Sequence, residues 1–182
     1  MRSKLALMTA IMLFGTPAFA QNPSPSTGEP ASQSAKQFLD FASEVNIGEI
    51  RSGLLAEQKA QSDAVKAFGR LMSLDHSELQ SQLDAIAVLD RVQVPDKPSS
   101  AAEQQMDQLK SMSGAQFDSA YMNDMVQDHE KAIRRFESES SNAQNPAVVA
   151  VVSGALPILQ QHLALAEAVD AWLSEESRRA AR

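Results

Sequence analysis

The sequence contains no cysteine among its 182 residues. This absence excludes disulfide bonds, thiolate metal sites and thiol catalysis. Tyrosine and tryptophan occur once each, β-branched runs are few, and no segment shows the alternating pattern of a strand. There is also no serine nucleophile in a recognisable setting, no glycine-rich phosphate loop and no close carboxylate pair. Catalysis is therefore unsupported by this sequence unless a metal ion supplies it.

Basic residues are outnumbered by acidic ones. The chain has 16 lysines and arginines against 23 aspartates and glutamates, for a formal net charge of −7. An acidic surface disfavours nucleic acid and anionic lipid as partners. No membrane span is predicted, because the apolar run at residues 5–14 is too short to cross a bilayer. A metal ion is the partner that the residues favour, and a protein partner or an oligomer stays open.

The first twenty residues have the layout of a secretory signal peptide. Two basic residues precede the apolar run, and Ala18-Phe19-Ala20 forms a small-residue cleavage site. We therefore expect cleavage after Ala20 and export to a bacterial periplasm. Residues 21–34 are rich in proline, serine, glutamine and glycine, which predicts a flexible linker.

The rest of the chain has helical periodicity. Apolar residues recur at three- and four-residue spacing in long segments near 34–60, 63–93, 115–140 and 146–176. Two short loops and one long connector, which contains a short helix, predict an all-α, ferritin-like four-helix bundle with a crossover. The second and third long helices then run parallel. We expect the bundle at residues 35–176 and a frayed tail at 177–182.

The three histidines of the chain each lie in an apolar helical stripe. Two of them end the same word, Met-x-x-Asp-His, at Met72 to His76 and at Met125 to His129. Counting from the loops at about 1.5 Å per helical residue places His76, His129 and His162 at one depth of the bundle. The matching depth on the first helix is near residue 46.

Three imidazoles in one layer predict a site for one transition metal ion. Glu44 and Glu49 bracket the same depth on the first helix, and Glu49 is the expected fourth ligand. Met72 and Met125 lie one turn before two of the histidines, and their thioethers suit copper. Without the thioethers, the donors suit zinc, iron or manganese, and the pattern does not choose among the four metals. The candidate ligands are His76, His129, His162, Glu49, Met72 and Met125.

Three uses of this layer stay open. The first is a metal-binding bundle that binds, buffers or senses a transition metal, for example under envelope stress. The second is a structural or interaction module of the cell envelope, in which the histidines form a buried polar layer without metal. The third, a metal-dependent oxidoreductase, requires an open coordination position and a redox metal. The usual di-iron word Glu-x-x-His is absent, since Ser73, Val126 and Leu159 occupy the glutamate position.

Several segments resemble a bacterial family known as domain of unknown function 4142. They are Glu49-Ile-x-x-Gly53, Val65-Lys66-x-Phe68, Met72-x-x-Asp75-His76, Ser113-Gly114-x-x-Phe117-Asp118-x-x-Tyr121, Asp128-His129 and Leu156-Pro157-x-Leu159-x-x-His162-Leu163. The resemblance covers roughly residues 35–173 and implies an exported, ferritin-like protein with no established reaction. It also implies Glu49, His76, His129 and His162 as the residues to test. Members are often labelled outer-membrane proteins, which disagrees with a chain that shows no membrane strand or span. A related-looking family with Met-x-x-His words is linked to copper handling, an analogy that does not transfer function.

Overall fold

The computed structural model describes residues 33–182, and within this range the chain forms helices and no strand. The helices are α1 (Gln33–Lys59), α2 (Asp63–Leu89), α3 (Ser100–Ser111), α4 (Gly114–Asn142) and α5 (Pro146–Ala180). The predicted all-α fold, with a short helix inside the long connector, is confirmed. The predicted signal peptide and the predicted linker up to residue 32 lie outside the described residues.

The two ends of the described chain are more helical than the sequence pattern predicts. α1 begins at Gln33, so the last two residues assigned to the linker are already helical. α5 continues to Ala180, past the predicted end near residue 176. Arg178 and Arg179 both reach Glu175 one turn earlier. Basic side chains in the last turn also interact favourably with the helix dipole, which supports the extra turn.

The four long helices form a bundle in which each helix has two neighbours. α1 packs along α2 and α4 packs along α5, while α2 also packs on α5 and α1 on α4. α2 and α4 therefore lie on a diagonal. α3 packs against α1 and α4 and covers that side of the bundle.

Two polar contacts show that α2 and α4 run in the same direction. At the start of α4, the Asp118 carboxylate accepts hydrogen bonds from the backbone N–H groups of Gln61 and Ser62, at 2.9 and 2.7 Å, just before α2. At the far end, the Asn145 amide donates to Asp90 at 2.7 Å, just after α2. The first ends of the two helices are thus adjacent, and so are their last ends. The crossover topology expected from the loop lengths is confirmed.

The bundle has two separate apolar clusters, with a polar layer between them. One cluster contains the edge-to-face pair of Phe38 and Phe136, whose ring centroids are 5.0 Å apart. The other contains Phe117 stacked on Tyr121, with centroids 6.0 Å apart. The buried polar residues between the clusters include all three histidines. Such a layer is costly unless each polar atom has a partner.

A glycine contact sets the register of α1 against α2. A Cβ atom at Gly53 would lie 2.5 Å from the carbonyl oxygen of Gly69, and one at Gly69 would lie 2.6 Å from that of Gly53. The two backbones approach so closely that no side chain fits. Two turns farther along the same antiparallel pair, Asn46 of α1 faces His76 of α2. The glycine contact therefore helps to place the α1 side chain that meets the histidine layer.

Replacing Gly69 with alanine is expected to destabilise the bundle. The added methyl group would overlap the Gly53 carbonyl and lie 2.7 Å from the Ala56 Cβ atom, and such overpacking costs about 1–3 kcal/mol. We expect the melting temperature of Gly69→Ala to fall by roughly 5 °C. Gly154→Ala is the matched control, because a Cβ there meets nothing within 4 Å. The control should gain about 1 kcal/mol of helix stability, and equal melting temperatures for the two variants would contradict the close contact.

α5 is long and apolar enough to cross a membrane by length and composition alone. Its mean hydropathy reaches 1.6 over 18 residues, and no other helix between residues 33 and 182 passes the same test. Core helices of soluble bundles also pass it. In this bundle α5 buries Val148, Val152 and Ala166 fully against its neighbours. The apolar character of α5 is therefore only weak support for a membrane span.

Candidate metal centre

Three histidine rings from three helices meet at the centre of the polar layer. His76 comes from α2, His129 from α4 and His162 from α5, and none is more than 2% exposed. Their ring centroids lie 5.4–5.7 Å apart. One ring nitrogen from each residue lies within 4.8 Å of the other two. The common depth predicted from the loop lengths is confirmed.

Each ring has one nitrogen that is hydrogen-bonded to an acceptor outside the triad. The acceptors are an amide oxygen, a peptide carbonyl oxygen and a carboxylate oxygen, none of which donates a proton. Each therefore fixes the ring proton on the nitrogen that it contacts. The pairs are His76 Nδ1 with Asn46 Oδ1 at 2.8 Å, His129 Nδ1 with the Met125 carbonyl at 2.9 Å, and His162 Nε2 with Asp75 Oδ2 at 3.0 Å.

The other nitrogen of each ring is buried and has no hydrogen-bond partner. These atoms are His76 Nε2, His129 Nε2 and His162 Nδ1. Because the protons lie on the opposite nitrogens, all three atoms carry a free lone pair. No hydrogen bond joins any two of the three rings in the described structure. The centre of the bundle therefore holds three nitrogen lone pairs, and none of them accepts a hydrogen bond from the protein.

Burial keeps the three rings uncharged. Loss of hydration lowers the pKa of His76 well below its usual range and lowers that of His129 to about 4, and neighbouring histidines add to both shifts. The Met125 carbonyl opposes the shift at His129. Burial also lowers the pKa of His162, and the Asp75 carboxylate opposes that change. Neutral imidazole is the form that coordinates a metal ion, so the triad is ready to bind near neutral pH.

The family of this chain follows from its sequence as a whole. The family model described as Domain of unknown function (DUF4142) matches residues 20–169. The chain belongs to this family. The match includes all three histidines, and the resemblance seen in the motifs is confirmed. A search of curated proteins found no match to this chain. The family description assigns no activity, so function must be inferred from the residues of this DUF4142 protein.

Asn46 is the site residue that the sequence reasoning missed. It lies on α1, is 2% exposed, and holds the ring of His76. The loop lengths place residue 46 at the depth of the histidines, whereas the predicted ligand on α1 is Glu49. An amide at that position was the available signal. Metal-bound histidines commonly have such an acceptor on the second ring nitrogen.

The two Met-x-x-Asp-His words of this DUF4142 protein differ in their contacts. Asp75 of the first word bonds the ring of His162 on the neighbouring helix. Asp128 of the second accepts a hydrogen bond from the Gln105 side chain of α3 at 3.0 Å. The difference arises because Asp75 lies in the groove between α2 and α5, whereas Asp128 lies in the groove between α1 and α4 that α3 covers. Asp75 therefore supports the triad from outside, and Asp128 helps to attach the connector.

Glu49 lies in the same layer but outside the triad. It is 4% exposed, and one of its carboxylate oxygens has no partner. The group of ligand atoms within 4.8 Å in residues 33–182 contains the three histidines without Glu49. Burial raises the pKa of Glu49 to about 8, and the charges of Asp128 and Asp124 add to this effect. Coordination by Glu49 stays a prediction that requires the carboxyl group to lose its proton.

The two candidate methionines are buried. Met72 and Met125 both lie in the apolar cluster on one side of the layer and are at most 2% exposed. Met125 contributes its backbone carbonyl to the support of His129. Tyr121 is buried in the same cluster, and its hydroxyl group has no partner. Coordination by either thioether stays a prediction.

Proposed function

We propose that this protein binds one transition metal ion through His76, His129 and His162, and that it binds, buffers or senses the ion in the bacterial envelope. One observation carries the proposal. Three buried, neutral imidazoles each have an unpartnered lone pair, and one nitrogen of each ring lies within 4.8 Å of one nitrogen of each of the other two rings. The predicted signal peptide supports the location in the envelope.

A purely structural polar layer explains the triad less well. Buried polar layers stabilise a fold when each donor meets an acceptor inside the layer. Here every ring proton is used by an acceptor outside the triad. A single water molecule has two protons to donate, so it would leave at least one of three lone pairs unmatched. Each unmatched buried acceptor costs about 1–3 kcal/mol, whereas a cation accepts all three pairs.

The donors favour a borderline transition metal. Imidazole nitrogen suits zinc, copper, iron and nickel, and thioether sulfur selects copper. The triad leaves a fourth position for Glu49, for Met72 or Met125, or for a small exogenous ligand. A role in buffering or sensing needs reversible binding, and a site with three protein ligands is compatible with exchange.

Metal content is the direct test of this proposal. The chain from Gln21 onward should be purified without a polyhistidine tag, stripped with a chelator and incubated separately with copper, zinc, iron or manganese. We expect one ion per chain by elemental analysis for at least one metal. At 100 times the dissociation constant, the bound ion should stabilise the fold by about 2.7 kcal/mol and raise the melting temperature by roughly 5–10 °C. No bound metal and no thermal shift with any of the four would make the histidines structural.

A further inference from the structure

A cleft between α2 and α5 reaches two of the three histidines of the triad. A cleft of about 240 Å³ lies between these two helices, and His76 and His162 form part of its lining. A separate cavity of about 90 Å³ between α1, α3 and α4 is lined by Glu49 and Met125 but by none of the histidines. Of these two cavities, the α2–α5 cleft is the one that reaches the histidines of the triad.

The outer part of this cleft is acidic. Asp75 and Glu78 line it from α2. The Asp75 side chain is 39% exposed and at the same time bonds the buried ring of His162. No lysine or arginine lines the cleft in the described part of the chain. A cleft lined by one sign of charge raises the local concentration of oppositely charged ions and the rate at which they arrive.

Gly154 keeps the α5 side of the cleft open. It lies within a helix, where glycine costs roughly 0.5–1 kcal/mol relative to alanine. Gly53 and Gly69 offset that cost by allowing a close helix contact, but a Cβ at Gly154 would meet nothing within 4 Å. Packing therefore does not explain the glycine. Gly154 does lie in the lining of the cleft, where a side chain as long as leucine would narrow the way to His76 and His162.

We propose that the metal ion enters and leaves through the α2–α5 cleft, passing Asp75 and Glu78 and meeting His76 and His162 before His129. This inference rests on the proposed function. Asp75 acts twice, since its charge attracts the cation and its hydrogen bond holds the His162 proton on Nε2, which leaves Nδ1 free to coordinate. Asp75 is thus a positioning residue as well as part of the entrance.

The inference is tested by the kinetics of Cu²⁺ binding to the mature chain. Cu²⁺ binds nitrogen ligands more tightly than the other divalent first-row ions do, so it is a suitable probe whichever metal is native. Stopped-flow quenching of Trp172, the single tryptophan, reports association. Gly154→Leu is expected to slow both association and dissociation by about tenfold relative to Gly154→Ala. The affinity and the one-to-one stoichiometry should stay the same, because a narrowed path changes both rates equally.

Asp75→Asn provides an independent second test. The asparagine oxygen still accepts the His162 proton, so the variant removes the charge and keeps the hydrogen bond. We expect Cu²⁺ association to slow several-fold at low ionic strength and to converge with the wild-type rate in high salt. Equal association rates for Gly154→Leu and Gly154→Ala would overturn the route, and a wild-type rate for Asp75→Asn at low salt would overturn the role of its charge. Absence of any Cu²⁺ binding by the wild type would instead overturn the proposed function.

Discussion

His129→Ala is expected to lose at least about 100-fold in metal affinity, and His76→Ala and His162→Ala should do the same. The expected loss of affinity follows from the number of ligands. Substitution of a residue that merely supports a metal ligand typically costs 10–100-fold in affinity, so removal of one of three ligands should cost at least the upper end of that range. Competition with a chelator of known affinity measures the change for each metal found on the wild type.

Matched variants distinguish residues that coordinate the metal from residues that only support the ligands. Asn46→Leu removes the acceptor behind His76 and is expected to lose roughly tenfold in affinity. Glu49→Gln replaces the carboxylate with an uncharged amide and Met72→Leu removes the thioether, each with little change of shape, so each reports whether its residue coordinates. A cooperative thermal unfolding transition of each metal-free variant serves as the control that the variant is folded. Full stoichiometry and wild-type affinity in His129→Ala would exclude the histidine site.

The stability of the metal-free protein is expected to depend on pH through two opposing effects. The histidines have lowered pKa values in the fold, so their contribution is present above the unfolded pKa near 6.5 and is lost as the pH falls toward the folded values. For His129, with a folded pKa of about 4, the loss between pH 7.5 and pH 5 is on the order of 2 kcal/mol. His76 changes in the same direction.

Glu49 acts in the opposite direction. Its folded pKa of about 8 lies above the ordinary value of 4.5, so its contribution is fully present below pH 4.5 and is lost as the pH rises through 8. Lowering the pH from 7.5 to 5 therefore returns stability on the order of 3 kcal/mol. In the wild type this gain offsets much of the loss from the histidines. A nearly flat melting profile of the wild type is thus compatible with a buried, neutral histidine layer.

The Glu49→Gln variant is expected to show the loss of stability that the histidines cause at low pH, because it lacks the opposing contribution of Glu49. The variant should be the more stable protein at pH 7.5, because folding of the wild type at that pH requires the Glu49 carboxyl group, which is ionised in the unfolded chain, to take up a proton. It should lose this advantage toward pH 5, where protonating the same carboxyl group on folding costs much less. Denaturant unfolding of both metal-free proteins at several pH values between 5 and 7.5 measures the difference. A flat profile for Glu49→Gln would contradict the buried layer, and parallel profiles for the two proteins would contradict the raised pKa of Glu49.

The common depth of the histidines was predictable because a helix is rigid and its length is proportional to its number of residues. The loops on both sides of the long connector are short, and the rise per helical residue is constant. α2 and α4 run in parallel and carry the same word, so His76 and His129 reach the same level. The length of α5 was harder to predict, since ion pairs in its last turn extend it beyond the apolar pattern.

The partners behind the rings were not predictable from spacing. Successive residues of a helix point about 100° apart, so a small rotation of one helix decides which neighbour a side chain meets. That rotation depends on helix packing, and in the α1–α2 pair it depends on the contact of Gly53 with Gly69. Consequently, the aspartates of the two Met-x-x-Asp-His motifs have different partners. Asp75 is hydrogen-bonded to His162, and Asp128 is hydrogen-bonded to Gln105.

The sequence by itself determined the helices, their order and direction, and the depth of three histidines, because hydrophobic periodicity and loop length act along one chain. Only the tertiary structure decided which ring nitrogen is free, since the acceptors from Asn46 and Asp75 come from other helices than the rings that they hold. It also decided that His76 and His162 line a cleft between α2 and α5. Both features depend on how the helices rotate and pack against each other, which local sequence patterns do not specify.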